Sequence, residues 1–532
     1  MVGGNSTPPH DLKAATAPIA SSRTWLSLLI IVPLTGLYVA VPRLLDAGIV
    51  DDSYIFLRYA RNFADGYGLV FNPGERVEGY TSPLWQFCLG MLAWLHVDLV
   101  AACTLLSAVF GLATMLLLLY AGRGWVSPGR YLLLIIPCLF LVTSPAFQYW
   151  AWSGMDTLNF TFFFFATFVI FLREVTGKRT LYWSGICFTL GALGRLDILA
   201  LLPVYICAIF LFNKGQGELP LGKLVSFLLP MSLLALHFLW RYSYYDSWLP
   251  NTFYAKVGVP FTNLLQKGLT SGLEFVQSHL LYVLACPMAL LLAARLRREF
   301  VGRVGFALII VVTWAGYVTA VGGDHFAMYR FFAPVLPILA LLFVAAVDLA
   351  IDHFRLVQAG RVAAAAVLIG VVVVVSNYAI YERFGGVKAR EEVALARRWT
   401  GVGLWLKQNV PPQSTIASMV VGAIPYYSEL KTFDLLGLTD KEVARGGKVY
   451  LDAVVGHQKY NTDYILEQRP DYIVFASSGV YTEPSDPLVR DMNKRYYYSV
   501  YDLANDLRTQ EMYEFKAVPL ADGTYVEFLQ RK

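Results

Sequence analysis

The sequence predicts an α-helical polytopic membrane protein with a C-terminal α/β domain outside the bilayer. Three observations predict it. Of the 532 residues, 57% are hydrophobic and only 15% charged, and the mean hydropathy is +0.52; a soluble globule carries about 25% charged residues. Charge is also segregated. Residues 382–532 hold 20 acidic and 19 basic side chains, whereas the 381 residues before them hold 18 and 24. Finally, apolar runs of membrane-spanning character recur about eleven times. This composition excludes a disordered chain, which needs low hydrophobicity. A net charge of +5 over such a length gives no footing for nucleic acid.

The elements follow in order. Residues 1–22, rich in Gly, Pro, Ser, Thr and Ala, read as a polar cytoplasmic tail. The run 25–41 lacks a small-residue cleavage site after it and reads as a retained span. Further spans are expected at 99–120, 131–147, 158–172, 181–193, 198–212, 224–240, 280–294, 304–321, 332–349 and 362–379. Arg123/Arg130, Arg173/Lys178/Arg179, Lys214/Lys223, Arg295/Arg297/Arg298/Arg303 and Arg355/Arg361 fall in alternate loops. The positive-inside rule puts those loops in the cytoplasm. Loops 46–98, 148–157, 194–197, 241–279 and 322–331 then face outward, as does 382–532. Segment 83–95 is too short to cross and reads as an interfacial or re-entrant helix. The division is therefore a membrane domain at 23–381 and a soluble domain at 382–532. The latter reads as α/β, with a helix at 389–408, a Pro-Pro break, and strands at 414–421, 472–475 and 524–529. All six cysteines lie in or beside apolar segments, so no disulfide framework is expected.

Nearly all the unusual polar sequence faces outward. The first loop opens Asp51-Asp52-Ser53-Tyr54. One aspartate could cap the following helix; two at a bilayer surface suggest a general base with a neighbour that tunes it, or a divalent cation site. Ile55, Tyr59 and Phe63 recur at helical spacing, which suits a helix lying on the membrane surface. Four more segments stand out: Asn72–Trp85 (turn-rich, acidic and aromatic), Gly194-Arg195-Leu196-Asp197, Trp248–Lys256, and Gly322–Arg330. A local ion pair would account for Arg195/Asp197, and an interfacial belt for Trp248 and Tyr254. Taken together, Arg58, Arg195, Lys256 and Arg330 are cations on the side where few are expected. They suit an anionic ligand, and phosphate fits Arg and Lys best. A phosphate leaving group needs charge stabilisation more than protonation, so no separate acid is required. No Walker A loop, dinucleotide fingerprint or nucleophile elbow occurs.

The stretch Asp-Asp-Ser-Tyr-Ile-x-x-Arg-Tyr-Ala-Arg-Asn running into Gly-Leu-Val-Phe-Asn-Pro-Gly-Glu-Arg-Val-Glu-Gly-Tyr-Thr-x-Pro-Leu-Trp resembles the first periplasmic loop of GT-C glycosyltransferases. The nearest branch is the polyprenyl-phosphate arabinofuranosyltransferases. Trp248–Lys256, Gly322–Arg330, Gly422–Ser428 and Asp434–Asp440 are similar to this family too. The resemblance implies a bacterial inner-membrane enzyme with its site on the periplasmic face. It implies transfer of a sugar, D-arabinofuranose above all, from a polyprenyl-phosphate donor to a cell-envelope glycan or glycoprotein acceptor such as a pilin. Asp51 or Asp52 is the expected base, and Arg58, Arg195, Lys256 and Arg330 are the expected phosphate ligands. Glu78, Tyr80, Trp85, Asp197 and Trp248 are candidate substrate contacts, as are Asn251, Tyr254, Asp324, His325 and His457. A divalent cation, Mg or Ca, is a possible cofactor, and Asp51, Asp52 and Asp324 are the residues that could hold it. Two positions depart from the family pattern: Asp156 stands where Glu is common, and Leu196 where Pro is common. The alternatives are a transporter or flippase for lipid-linked sugars, an assembly protein whose outer domain binds a partner, and the same enzyme class using mannose or another hexose.

Overall fold

The computed structural model describes residues 19–175, 180–214, 220–484 and 493–532, with side chains from residue 31. Residues 1–18 of the expected tail lie outside them. Every expected apolar run falls on a helix or a helix pair. Six are long and apolar enough to cross a bilayer: Leu99–Gly122, Thr157–Val175, Leu221–Tyr245, Arg298–Ala320, Arg330–His353 and Ala359–Phe384. Two bent pairs raise the figure to eight: Tyr131–Thr143 with Pro145–Trp152, bent by 57°, and Phe261–Ser278 with Leu280–Leu296, bent by 81°. Tyr182–Gly194 and Leu196–Phe212 are shorter, and the first helix, Ile19–Leu44, has 26 residues. Among the described residues, length and composition thus support six to eight spans, against eleven expected from hydropathy: the runs at 181–193 and 198–212 fall on helices too short to be counted, and the helix of the run at 25–41 is described with side chains only from residue 31. The run at 131–147 contains a break that hydropathy does not register. At Ser144 the side chain caps a new helix and Pro145 takes its first position.

Helix Arg330–His353 runs through the centre of the membrane body. From Leu336 to Ala346 every residue is buried, as expected of a helix that is apolar all round. At its far end the buried Asp348 accepts the Ser127 backbone N–H at 3.0 Å and pairs with Arg130 and Arg297, both at 3.0 Å. Those arginines belong to loops expected in the cytoplasm. Its 24 residues reach about 36 Å, so Arg330 and the basic loops stand at opposite ends of the body.

The first-loop helix Asp51–Ala64 does not lie open on the membrane. Ser53 to Ala60 are buried on every face, and its apolar stripe packs against the helix Pro83–Trp94. That helix has 12 residues, about 18 Å, too short to span.

Helix Gly386–Asn409 leads into the outer domain. Among its described residues the strands are β1 Thr415–Ser418, β2 Lys431–Asp434, β3 Lys448–Val449, β4 Lys459–Tyr460, β5 Tyr472–Val474, β6 Tyr513–Pro519 and β7 Tyr525–Arg531. The main sheet has the order β2-β1-β5-β7-β6. β2, β1 and β5 are parallel; β5–β7 and β7–β6 are antiparallel. β3 and β4 form a separate antiparallel pair.

The outer domain is welded to the first loop. Arg58, 2% exposed, donates from Nε to the Phe71 carbonyl at 2.8 Å and from Nη2 to the Leu430 carbonyl at 2.8 Å. It also reaches the Pro425 carbonyl and Asn72 Oδ1. Asn72 Nδ2 donates to the Thr432 carbonyl at 2.9 Å. Asn251 Nδ2 contacts the carbonyls of Gly437, Leu438 and Asp440 at 2.8, 3.3 and 3.1 Å. Removing a buried donor leaves each of its acceptors unpaired, at about 1–3 kcal/mol apiece. Arg58→Met should therefore cost about 3 kcal/mol or more of stability. Thermal unfolding in detergent, with trypsin sensitivity of residues 386–532 as second readout, checks it; a midpoint within about 2 °C of wild type would contradict it.

Candidate active site

A cavity of about 740 Å³ opens where the first loop, the 322–330 loop, helix Gly386–Asn409 and the outer domain meet. Asp51, Asp52, Lys256, His325, Arg330 and His457 all line it. Residues more than 400 positions apart thus converge on one space.

The two aspartates differ in what they hold. Asp51 accepts the N–H groups of Gly422 (3.2 Å) and Ala423 (2.8 Å). A Cβ on Gly422 would lie 2.0 Å from the Asp51 carbonyl oxygen, so only glycine permits this approach. Burial pushes the Asp51 carboxyl up to about 7, against the pull of those two N–H groups. Among the described residues, no hydrogen bond engages the Asp52 carboxylate. Burial raises its pKa, Arg330 and Lys256 oppose the rise, and Asp324 and Asp156 reinforce it. Asp52 is the aspartate that faces two cations with its oxygens free.

The 322–330 loop supplies the second wall. Arg330 binds both oxygens of Asp324, Nε to Oδ2 at 2.7 Å and Nη2 to Oδ1 at 3.1 Å. Burial alone would raise Asp324; Arg330 outweighs it and holds the carboxyl at about 2. Lys256 stands exposed at the mouth of the cavity. The rings of His325 and His457 lie edge to face, 5.2 Å apart. His457 Nδ1 donates to the Tyr496 carbonyl at 3.0 Å. Burial and mutual repulsion lower the pKa of His325, and burial lowers that of His457, so both rings are neutral at pH 7.

Several expected ligands are used elsewhere. Arg58 is spent on carbonyl oxygens of both domains and does not line the cavity. Arg195 is bound by Asp197 at 2.8 Å, and the Tyr317 hydroxyl holds the same carboxylate. The pair lines a small chamber behind Arg330. Glu78 pairs with the buried Arg241 at 2.7 Å, and the Tyr80 hydroxyl meets that of Tyr245 at 3.0 Å. Trp85 is fully buried. Trp248 stacks on Tyr242, and Arg445 covers Tyr254. Asn251 serves the domain seam. Arg195–Asp197 is the local ion pair the sequence offered; the partners of Arg58, Glu78, Tyr80, Tyr254 and Asn251 lie far away in sequence, where local patterns do not reveal them.

The cation expectation does not fit this donor set. Asp51 is held by backbone N–H groups and Asp324 by Arg330. Among the described residues no three His, Cys, Asp or Glu side chains converge as a metal site. Two residues were missed as site candidates. Asp156 is 1% exposed, neither of its oxygens has a hydrogen-bond partner, and it feels Arg195 and Arg330. Its departure from the family pattern was the available signal. Glu392 lines the cavity from helix Gly386–Asn409; an acidic residue on an otherwise ordinary amphipathic helix gave no signal.

Residues 386–526 match a family described as a domain of unknown function (DUF8728). A 45-residue stretch, 8% of this chain, is 56% identical to a terminal β-(1→2)-arabinofuranosyltransferase of Corynebacterium glutamicum. A 117-residue stretch, 20% of the chain, is 33% identical to the enzyme of that name from Mycobacterium tuberculosis. The matches span 7% and 18% of those curated relatives. Among solved structures, the Archaeoglobus fulgidus oligosaccharyltransferase aligns over 95% of this chain and 74% of its own, with TM-score 0.59 and 12% identity. ArnT from Cupriavidus metallidurans, bound to undecaprenyl phosphate, aligns over 96% and 98%, with TM-score 0.56 and 12% identity. With a helical membrane body, a first loop folded into the wall of the cavity, and this overlap along nearly its whole length, the chain has the GT-C fold.

Proposed function

We propose that this protein is a membrane glycosyltransferase that takes a sugar from a polyprenyl-phosphate carrier and passes it to an acceptor hydroxyl. The observation that carries the reading is Asp52, a carboxylate that no hydrogen bond engages among the described residues, in one cavity with Arg330 and Lys256. Its support outside the site comes from the local identity to arabinofuranosyltransferases and from the fold shared with ArnT, solved with undecaprenyl phosphate. By the same analogy the donor sugar is D-arabinofuranose. The acceptor is a glycan or glycoprotein of the cell envelope, and the cavity faces the periplasm.

In this reading the acceptor oxygen attacks the anomeric carbon while the bond from that carbon to the phosphate oxygen breaks. Asp52 takes the hydroxyl proton. A carboxylate whose pKa is raised above the ordinary value by burial suits that task. The leaving polyprenyl phosphate gains negative charge, which Arg330 and Lys256 stabilise. Attack opposite the leaving group inverts the anomeric centre. Asp324 fixes the Arg330 guanidinium, and Asp51 fixes the cavity wall at Gly422 and Ala423. No step is routed through a metal ion.

The test uses the purified full chain in detergent, labelled polyprenyl-phosphoryl arabinofuranose, and arabinoside, mannoside and peptide acceptors. Transfer by wild type should fall about 10²–10⁴-fold in Asp52→Asn. Undiminished transfer in that variant would remove Asp52 from the mechanism, and donor that binds but is never transferred would favour the transporter alternative. Arg330→Ala should raise the donor KM and lower kcat/KM about 100-fold.

Asp51→Asn should separate structure from chemistry. The folded-state pKa of Asp51, about 7, exceeds the ordinary 3.8. Between those values the folded chain holds a proton that the unfolded chain has lost, so stability falls as pH rises from about 4 to 7 and levels off above. Asp51→Asn should remove that share of the slope. Unfolding midpoints collected from pH 4.5 to 7.5 check it; an unchanged slope would contradict it.

A further inference from the structure

The loop that carries Asp324, His325 and Arg330 is bent into an expensive shape. Gly322 and Gly323 have φ of 94° and 70°, and the adjacent Met328 and Tyr329 have φ of 56° and 50°. Two neighbouring non-glycine residues in the left-handed region cost of order 1–3 kcal/mol each and persist only where surrounding contacts over-determine them.

Three side chains supply those contacts. Trp150 Nε1 donates to the Met328 carbonyl at 2.9 Å. Lys388 Nζ donates to the His325 carbonyl. Glu392 Oε1 accepts the Ala327 N–H at 3.0 Å, while its Oε2 accepts the Tyr149 hydroxyl at 2.7 Å. Lys388 and Glu392 are four residues apart on helix Gly386–Asn409, hence on one face. Tyr149 and Trp150 are neighbours on helix Pro145–Trp152. Glu392 therefore joins three pieces: the loop, the short helix beyond the 57° bend, and the helix that leads into the outer domain. It lines the cavity, and the catalytic scheme above gives it no part.

We propose that Glu392 is a positioning residue: by bridging Ala327 and Tyr149 it sets the 322–330 loop so that Arg330 meets the donor phosphate. The bridge also makes Arg330's placement depend on the seating of the outer domain. This rests on the reading of Arg330 as a phosphate ligand.

The experiment is a double-variant cycle on the full chain, with donor and acceptor KM and kcat measured separately. Glu392→Ala loses both bonds and should raise the donor KM about tenfold, the scale of losing a charge-assisted hydrogen bond, with the acceptor KM unchanged. Glu392→Gln can still accept from Ala327 and donate to the Tyr149 oxygen, so it should restore the donor KM to within about twofold. In an Arg330→Ala background, Glu392→Ala should add nothing, because its effect passes through Arg330. Tyr149→Phe cuts one arm of the bridge and serves if Glu392→Ala does not fold. A fully additive cycle, or a loss confined to kcat or to the acceptor, would overturn the proposal while leaving Arg330 as a ligand. Arg330→Ala with an unaltered donor KM would overturn both.

Discussion

A buried guanidinium that satisfies oxygens on two separate parts of the chain is the constraint on which the site depends. Arg58 lies in the first loop, yet two of its acceptors are carbonyls at positions 425 and 430. Burial weakens its hold on the proton, lowering the pKa to about 9, and leaves the residue charged at neutral pH. A buried charge of this kind is tolerable only when its donors are engaged. The flanking bonds of Asn72, Asn251 and Asp51 run along the same seam. The Asp52 wall and the His457 wall of the cavity therefore belong to one rigid body, although they come from a membrane loop and a soluble domain.

The adjacent aspartates show how environment divides labour between identical groups. One spends its oxygens on two backbone N–H groups and acts as a clasp. The other keeps its lone pairs and is tuned by cations instead. Sequence order alone treats them as a pair. What separates them is a glycine 370 positions away whose missing side chain lets one carboxylate dock and leaves the other in the cavity.

Much of the architecture was legible because it rests on local signals. Apolar runs mark helices, and charge density marks the C-terminal domain. The helix at 389–408 and the strands at 414–421, 472–475 and 524–529 all have counterparts within a few residues. Asp52, Lys256, Arg330, His325 and His457 were legible as unusual polar groups on one side of the bilayer, and they do share a cavity. Arg58, Glu78, Tyr80 and Asn251 were equally unusual but are taken up by partners distant in sequence. The sheet order was hidden for the same reason: β5 joins a parallel half to an antiparallel half, a pairing no local pattern encodes. The bend at Ser144 was written in plain capping chemistry inside a run too apolar to draw attention.

The seam also fixes an order of events in the making of the protein. A ribosome adds roughly 5–20 residues per second, so Arg58 is made tens of seconds before the carbonyls at 425 and 430 that complete its shell. During that interval the first loop has its aspartates but no cavity wall opposite them. The cavity closes only when the C-terminal domain arrives and folds, so a nascent or truncated chain inserted in the membrane lacks a formed site.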